Sequence, residues 1–266
     1  SLIGTYAFNI FCISLFSSPA IFILKESKKE IIICILFLLL PIIFYISGSS
    51  KIKSFQSLKV IENNYTIRAV GSNIDLSRFY GNTDTESVIN ELINLSEPDL
   101  NTNTLFIWPE GIIPNINRSE LKKFKILFSQ KFNKNHLLGI GINSYENKNN
   151  KNIFYNSFSF YDHEINLINT YNKVNLVPFG EFLPLEEILG GIGLKSLTNN
   201  YQSFSSGKNR KVININEKSF DIKILPIICY EIIYSGKIFD NYDFDYIINI
   251  SEDGWFGQSI GPHQHF

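Results

Sequence analysis

Three residue types in this 266-residue chain could do covalent chemistry together: a cysteine, a glutamate and a lysine, each at the end of an apolar run. They fall in LFIWPEG (105–111), TYNKVNLVPFGEFLP (170–184) and ILPIICYE (224–231), and a fourth segment, INISEDGWFGQSIGPHQH (248–265), has the same form. Each is a strand signal ending in a reactive side chain beside a turn residue, and strand ends are where layered α/β proteins gather groups distant in sequence. Cys229 is the only cysteine outside an apolar head, so no disulfide partner is evident. It falls where a strand passes into a predicted helix (YEIIYSGKIF), whose N-terminus would favour a thiolate. The alternative is a small buried hydrophobe. Glu110 follows Trp108-Pro109; the proline blocks further ladder pairing and holds the carboxylate in place. A general base beside a thiol needs such a group, with its pKa raised by apolar neighbours. An exposed loop glutamate is the plainer alternative. The Lys173 ammonium could stabilise an oxyanion, a role worth ~3–4 kcal/mol, or lie on the surface. Glu181 would be a second carboxylate able to orient it.

The elements that must position these groups mix strands and helices, which favours an α/β layered domain. Strands are predicted at 65–71, 105–108, 137–143, 154–161, 222–228 and 246–250, from alternation and apolar runs. A helix at 84–95 places Val88, Leu92 and Leu95 on one face behind Asp84 as its cap. A second, at 119–132, does the same with Leu121, Phe124, Leu127 and Phe128. The basic run Lys208–Lys211 reads as a solvated turn.

The chain carries 24 basic and 25 acidic residues, a formal charge of −1, which gives no electrostatic reason to expect a nucleic-acid partner. Its hydrophobic residues are concentrated at the start. Neither 1–24 nor 31–50 contains a charge, and each has the roughly 20 residues needed to cross a ~30 Å hydrocarbon core. Residues 1–50 therefore read as two transmembrane helices of a larger membrane domain, with Pro41 a tolerated kink. A cleaved signal peptide would not explain two spans in succession. Three lysines in KESKKE (25–30) suggest a cytoplasmic turn, but Lys51, Lys53 and Lys59 follow the second span, so the count alone does not set the orientation; with the short loop inside, everything after residue 50 is on the outer face. Residues 51–63 read as a linker and 64–266 as one soluble domain. The chain begins at Ser1, contains no Met and stops at Phe266; the expectation is an internal piece of a longer protein, with this domain C-terminally incomplete.

Together WPEG, NKVNLVPFGEFLP, CYE and DGWFG…GP.QH resemble the carbon–nitrogen hydrolase (nitrilase) superfamily over residues from about 65 to 266. The likeness is closest to its membrane branch, which N-acylates bacterial lipoproteins. The resemblance implies an αββα nitrilase-type sandwich preceded by transmembrane helices. It assigns the general base to Glu110, the oxyanion-stabilising lysine to Lys173 and the nucleophile to Cys229. Glu181, Tyr230 and Glu231 match supporting residues. Val177 and Phe179 fall on a mobile loop near the membrane surface that admits lipid, and Trp255 matches a further substrate-binding position.

The implied reaction passes an acyl chain from a phospholipid through a Cys229 thioester to the α-amino group of a lipoprotein's diacylglyceryl-cysteine. It uses no metal or organic cofactor. The implied location is the bacterial inner membrane, multi-pass, with the catalytic domain facing the periplasm. One departure is Glu252-Asp253, where the family usually has Asn-Asp. Three rivals follow from the same residues. One is a small-amide or nitrile hydrolase sharing the triad. Another is a thiol–imidazole or zinc site using Cys229 with His263 and His265, whose His-x-His spacing puts both rings on one strand face. The last is a membrane protein that keeps the fold without the reaction.

Overall fold

Pro19 sets the form of the first apolar run. In the computed structural model, helix α1 (Thr5–Ser17) gives way to a 3-10 turn (Ser18–Ala20) around this proline, followed by the short α2 (Ile21–Leu24). Proline has no N–H to continue the ladder, which accounts for the break. Helix α3 (Lys28–Gln56) runs 29 residues without interruption, Pro41 included, about 43 Å at 1.5 Å per residue. It is long and apolar enough to cross a membrane, and Ile32, Leu36, Ile43 and Ile46 are exposed along it. Among the described residues there is thus one helix of spanning length against the two expected; the first run holds a shorter apolar helix. Helix α3 also continues through 51–56, which the sequence suggested was linker. Phe11 of α1 meets Phe37 and Phe44 of α3 at ring-centroid distances of 6.3 and 5.3 Å.

The structure describes residues 5–24, 27–57, 63–71, 83–148, 151–182, 184, 203–234, 243–256 and 260. It divides into two compact units, Ser1–Glu62 and Asn63–Phe266.

The second unit is built on a five-stranded sheet. Its strands are β1 (Thr66–Ala69), β2 (Thr104–Trp108), β3 (His136–Gly141), β6 (Ser157–Asp162) and β7 (Leu167–Asn172), in the order β1-β2-β3-β6-β7. The first three are mutually parallel and the last two antiparallel to their neighbours. Between β3 and β6, β4 (Ser144–Lys148) and β5 (Lys151–Tyr155) pair as a hairpin. The strand expected at 154–161 is therefore two strands that change direction at Asn156. A second sheet has the order β10-β9-β8, from β8 (Ile213–Glu217), β9 (Phe220–Ile228) and β10 (Tyr246–Ile250).

Alternation along fully buried strands assigns the faces. Phe106 and Trp108 of β2 and Leu138 and Ile140 of β3 face one core, where α4 (Thr85–Ser96) contributes Val88, Ile89, Leu92 and Ile93. Asp84 caps α4 as expected, its carboxylate accepting from the N–H groups of Glu86 and Ser87. Leu105, Ile107 and Leu137 point the other way, into a core completed by Ile215, Ile222, Ile224 and Ile228 of the second sheet. The result is a helix layer on two stacked sheets, an α/β architecture as expected. Leu225 and Ile227 on the far face of β9 are also buried; the fourth, helical layer of the expected sandwich lies outside the described residues. The helix predicted at 119–132 is shorter: a 3-10 turn at Leu121–Phe124, then α5 (Lys125–Ser129). No side-chain cap hydrogen bond starts either piece, which removes a stabilisation of ~1 kcal/mol.

Candidate active site

The ends of β2, β7 and β9 carry Glu110, Lys173 and Cys229. After Trp108 the chain turns at Pro109, and Glu110 is 9% exposed. A glycine makes this turn possible: a β-carbon at Gly141, the last residue of β3, would run into the Pro109 carbonyl and the Glu110 backbone. Lys173 follows the last residue of β7, and its N–H donates to the Asn156 carbonyl at 2.9 Å. Its side chain is 1% exposed, which the plain surface-lysine reading does not accommodate.

The Lys173 ammonium is held between two carboxylates, 3.3 Å from Glu110 Oε1 and 3.0 Å from Glu181 Oε1. The Asn156 amide NH2 donates to the same two oxygens at 2.7 and 2.8 Å. That fixes the amide's orientation, because a flipped group would set its oxygen against two anions. The other Glu181 oxygen accepts from the Val177 N–H at 2.9 Å, closing the PFGE loop on itself. In that loop Phe179 adopts a left-handed backbone (φ 63°) and is 61% exposed.

Cys229 has φ 54°, in the left-handed region. A non-glycine residue adopts it at a cost of roughly 1–2 kcal/mol, and such strain clusters at functional sites. Among the described residues a 3-10 turn follows, Cys229–Ile233; the rest of the predicted helix, from residue 235, lies outside them. Burial pushes the Cys229 thiol up to about 11 and the Glu110 charge adds to this; Lys173, the Ser251 hydroxyl and the Tyr230 N–H pull the other way. The sulfur's resting form is the thiol, so a nucleophile here requires a base.

Glu110 suits that task. Burial raises its carboxyl above the ordinary carboxylate range, against the opposing pull of Lys173 and Asn156. Burial by itself would lower Lys173, but Glu110, Glu181 and Cys229 together hold it above the usual lysine value. The arrangement offers a proton acceptor, a fixed positive charge and a sulfur that must lose its proton.

Glu231 is also completely buried, and does something different. It accepts from the N–H groups of Ile228 (3.0 Å), Val174 and Asn175 (both 2.9 Å), from the Tyr171 hydroxyl, and from Arg210 at 2.9 Å. The side chain of Tyr230 is exposed. Trp255 lies in a 3-10 turn, Asp253–Phe256, with its side chain outside the described residues, as are His263 and His265 entirely. Among the described residues no group of His, Cys, Asp and Glu could hold a metal ion. Glu252 accepts from the Gly254 N–H at 2.9 Å, so a carboxylate takes up a loop contact where the Asn usual in the superfamily would stand.

Sequence reasoning missed Asn156, Tyr171 and Arg210. Asn156 had no signal in a chain rich in Asn. Arg210 was read as part of a solvated basic run, but its side chain is 7% exposed and paired with Glu231; Lys208 and Lys211, on either side, are exposed.

Residues 83–266, more than half of the chain, match the carbon–nitrogen hydrolase family. The chain belongs to that family. Among its relatives, an apolipoprotein N-acyltransferase from Wigglesworthia glossinidia brevipalpis is 33% identical over 229 residues, covering 85% of this chain and 45% of the relative. One of the same name from Brucella suis biovar 1 is 26% identical over 278 residues, covering 100% of this chain and 50% of the relative. The chain therefore spans about half the length of these carbon–nitrogen hydrolase relatives. A solved carbon–nitrogen hydrolase from Helicobacter pylori G27 aligns with a TM-score of 0.43 and 14% identity, over 70% of this chain and 59% of that one.

Proposed function

We propose that the protein to which this chain belongs is an apolipoprotein N-acyltransferase working through a Glu110–Lys173–Cys229 triad. The observation that carries the reading is the buried Lys173 ammonium, fixed between Glu110 and Glu181 on a strand end that Glu231 ties to the Cys229 turn.

Glu110 takes the Cys229 proton, and the sulfur attacks the ester carbonyl of a phospholipid. Lys173 faces the negative charge that develops on the carbonyl oxygen, where a preplaced cation is worth most. The C–O bond breaks, the leaving alkoxide takes the proton back from Glu110, and a lysophospholipid departs. The acyl chain stays on Cys229 as a thioester. The α-amino group of a diacylglyceryl-cysteine then attacks, Glu110 accepts its proton, and the amide forms as the thiol is restored. Glu181 holds Lys173, and Glu231 and the Tyr230 N–H support the sulfur's turn. The exposed apolar Phe179, with Val177 on the same loop, gives an acyl chain a surface to wet, and Trp255 completes the substrate contacts. No metal or organic cofactor takes part. The long apolar helix α3 supports a membrane placement; the bacterial inner membrane, a multi-pass anchor and a periplasmic family domain belong to the acyltransferase reading itself.

The test supplies full-length protein in vesicles with phospholipid and a diacylglyceryl-cysteine peptide, and analyses the products by mass spectrometry. The expected product is the N-acylated peptide together with lysophospholipid. Free fatty acid with no amide would instead assign the site to hydrolysis.

A further inference from the structure

We infer that Arg210 is a positioning residue, which holds Glu231 so that the Cys229 turn and the end of the Lys173 strand keep their relative placement. The inference rests on the triad reading above and adds to it a residue that touches no reacting atom.

Glu231 is the tie between the two strand ends. One of its oxygens receives the Ile228 N–H, immediately before Cys229. The other receives the N–H groups of Val174 and Asn175, immediately after Lys173. Backbone donors alone do not balance the charge of a carboxylate at zero exposure, which needs a countercharge. Arg210 supplies it at 2.9 Å. The same guanidinium donates to Asn175 Oδ1 at 2.9 Å and to the Tyr171 hydroxyl at 3.3 Å, so its plane is set by several partners at once. A lysine could offer the charge but not this fork.

The segment that delivers Arg210 is itself fastened to the lysine strand. The Gly207 N–H donates to the Lys173 carbonyl at 2.8 Å. A β-carbon at Gly207 would collide with the Asn172 carbonyl, so only glycine permits this approach. Two strand ends and the strap between them thus meet at one ion pair.

The test measures S-alkylation of Cys229 by iodoacetamide in the full-length protein, followed on the Cys229 peptide by mass spectrometry, beside acyl transfer. Alkylation needs no lipid substrate, so the inference can fail while the acyltransferase reading stands, and the reverse. For Arg210→Ala, alkylation and kcat are expected to fall about tenfold or more with KM little changed, as misplacement of reacting groups predicts. Added guanidinium ion should recover part of both. Arg210→Lys, the milder change, should slow alkylation several-fold at an unchanged unfolding temperature, and it decides the matter should Arg210→Ala fail to fold. Wild-type alkylation and kcat in either folded variant would overturn the inference.

Discussion

Two buried carboxylates, Glu110 and Glu231, belong to the candidate site with Cys229, and they are treated in opposite ways. Glu231 has its own guanidinium, three backbone N–H groups and a tyrosine hydroxyl, and both of its oxygens are engaged. Glu110 shares one ammonium with Glu181, and both of its hydrogen bonds, from Asn156 and Lys173, fall on Oε1. Among the described residues Oε2 of Glu110 has no partner. The saturated carboxylate anchors what surrounds it; Glu110, raised by burial, keeps one oxygen without a partner, as a proton carrier needs. In the proposed mechanism, how completely a buried charge is satisfied separates a clamp from a base. Glu231 is fully buried and the Glu110 side chain is 12% exposed, so the more deeply buried carboxylate is also the better partnered.

Substitutions should pull the two apart. The largest effect belongs to the sulfur they flank: Cys229→Ala is expected to lower kcat by roughly 10⁴-fold or more, read as amide formation with the fold checked by circular dichroism. Glu110→Gln should lower kcat by about 10²–10⁴-fold while leaving the unfolding midpoint unchanged or higher, because it removes one of two carboxylates crowding a single ammonium. Glu231→Gln should do the reverse in stability. It leaves Arg210 buried without its anion, a loss of about 3–5 kcal/mol, measurable by urea unfolding of the family domain in the full-length protein. Equal stability losses in the two variants would erase the distinction.

The pH dependence sharpens the same point. Glu110 is raised in the folded protein, so folding favours its protonated form. Its stabilising contribution is present below the ordinary carboxylate pKa and is lost as pH climbs through the raised value. Activity moves the other way, since only the ionised form accepts a proton. Wild type should therefore gain kcat and lose unfolding free energy across one pH window above the ordinary carboxylate value of 4.5. In Glu110→Gln both slopes should vanish, as pH–rate and pH–stability profiles would record. The smallest effect is expected at Glu252. Its carboxylate already accepts from Gly254, and an Asn oxygen could do the same, so Glu252→Asn should shift stability within about ±0.5 kcal/mol.

The sequence made the base, the lysine and the thiol legible because each ends an apolar run beside a turn, a local pattern. Which partners they have was not local. Asn156 joins Glu110 to Glu181 only because β5 and β6 change direction there, and no residue in YNSF announces that bend. Arg210 looked solvated because a charge run is judged as a group, whereas one side chain of the run turns inward and its neighbours do not. Strands β7 (LINTYN) and β8 (ININE) went unread for a related reason. Asn depresses β-propensity, and cross-strand packing overrides it. In the first unit the apolar runs are visible in the sequence, but Pro19 divides one of them while Pro41 leaves α3 unbroken.

The most direct measurement is a search for acyl mass on the Cys229 peptide after brief incubation of the full-length protein with phospholipid alone. The account predicts a thioester adduct there, released by neutral hydroxylamine, absent from Cys229→Ala and accumulating far more slowly in Glu110→Gln. Acyl transfer to the peptide acceptor with no adduct on Cys229, or with the adduct on another residue, would contradict it.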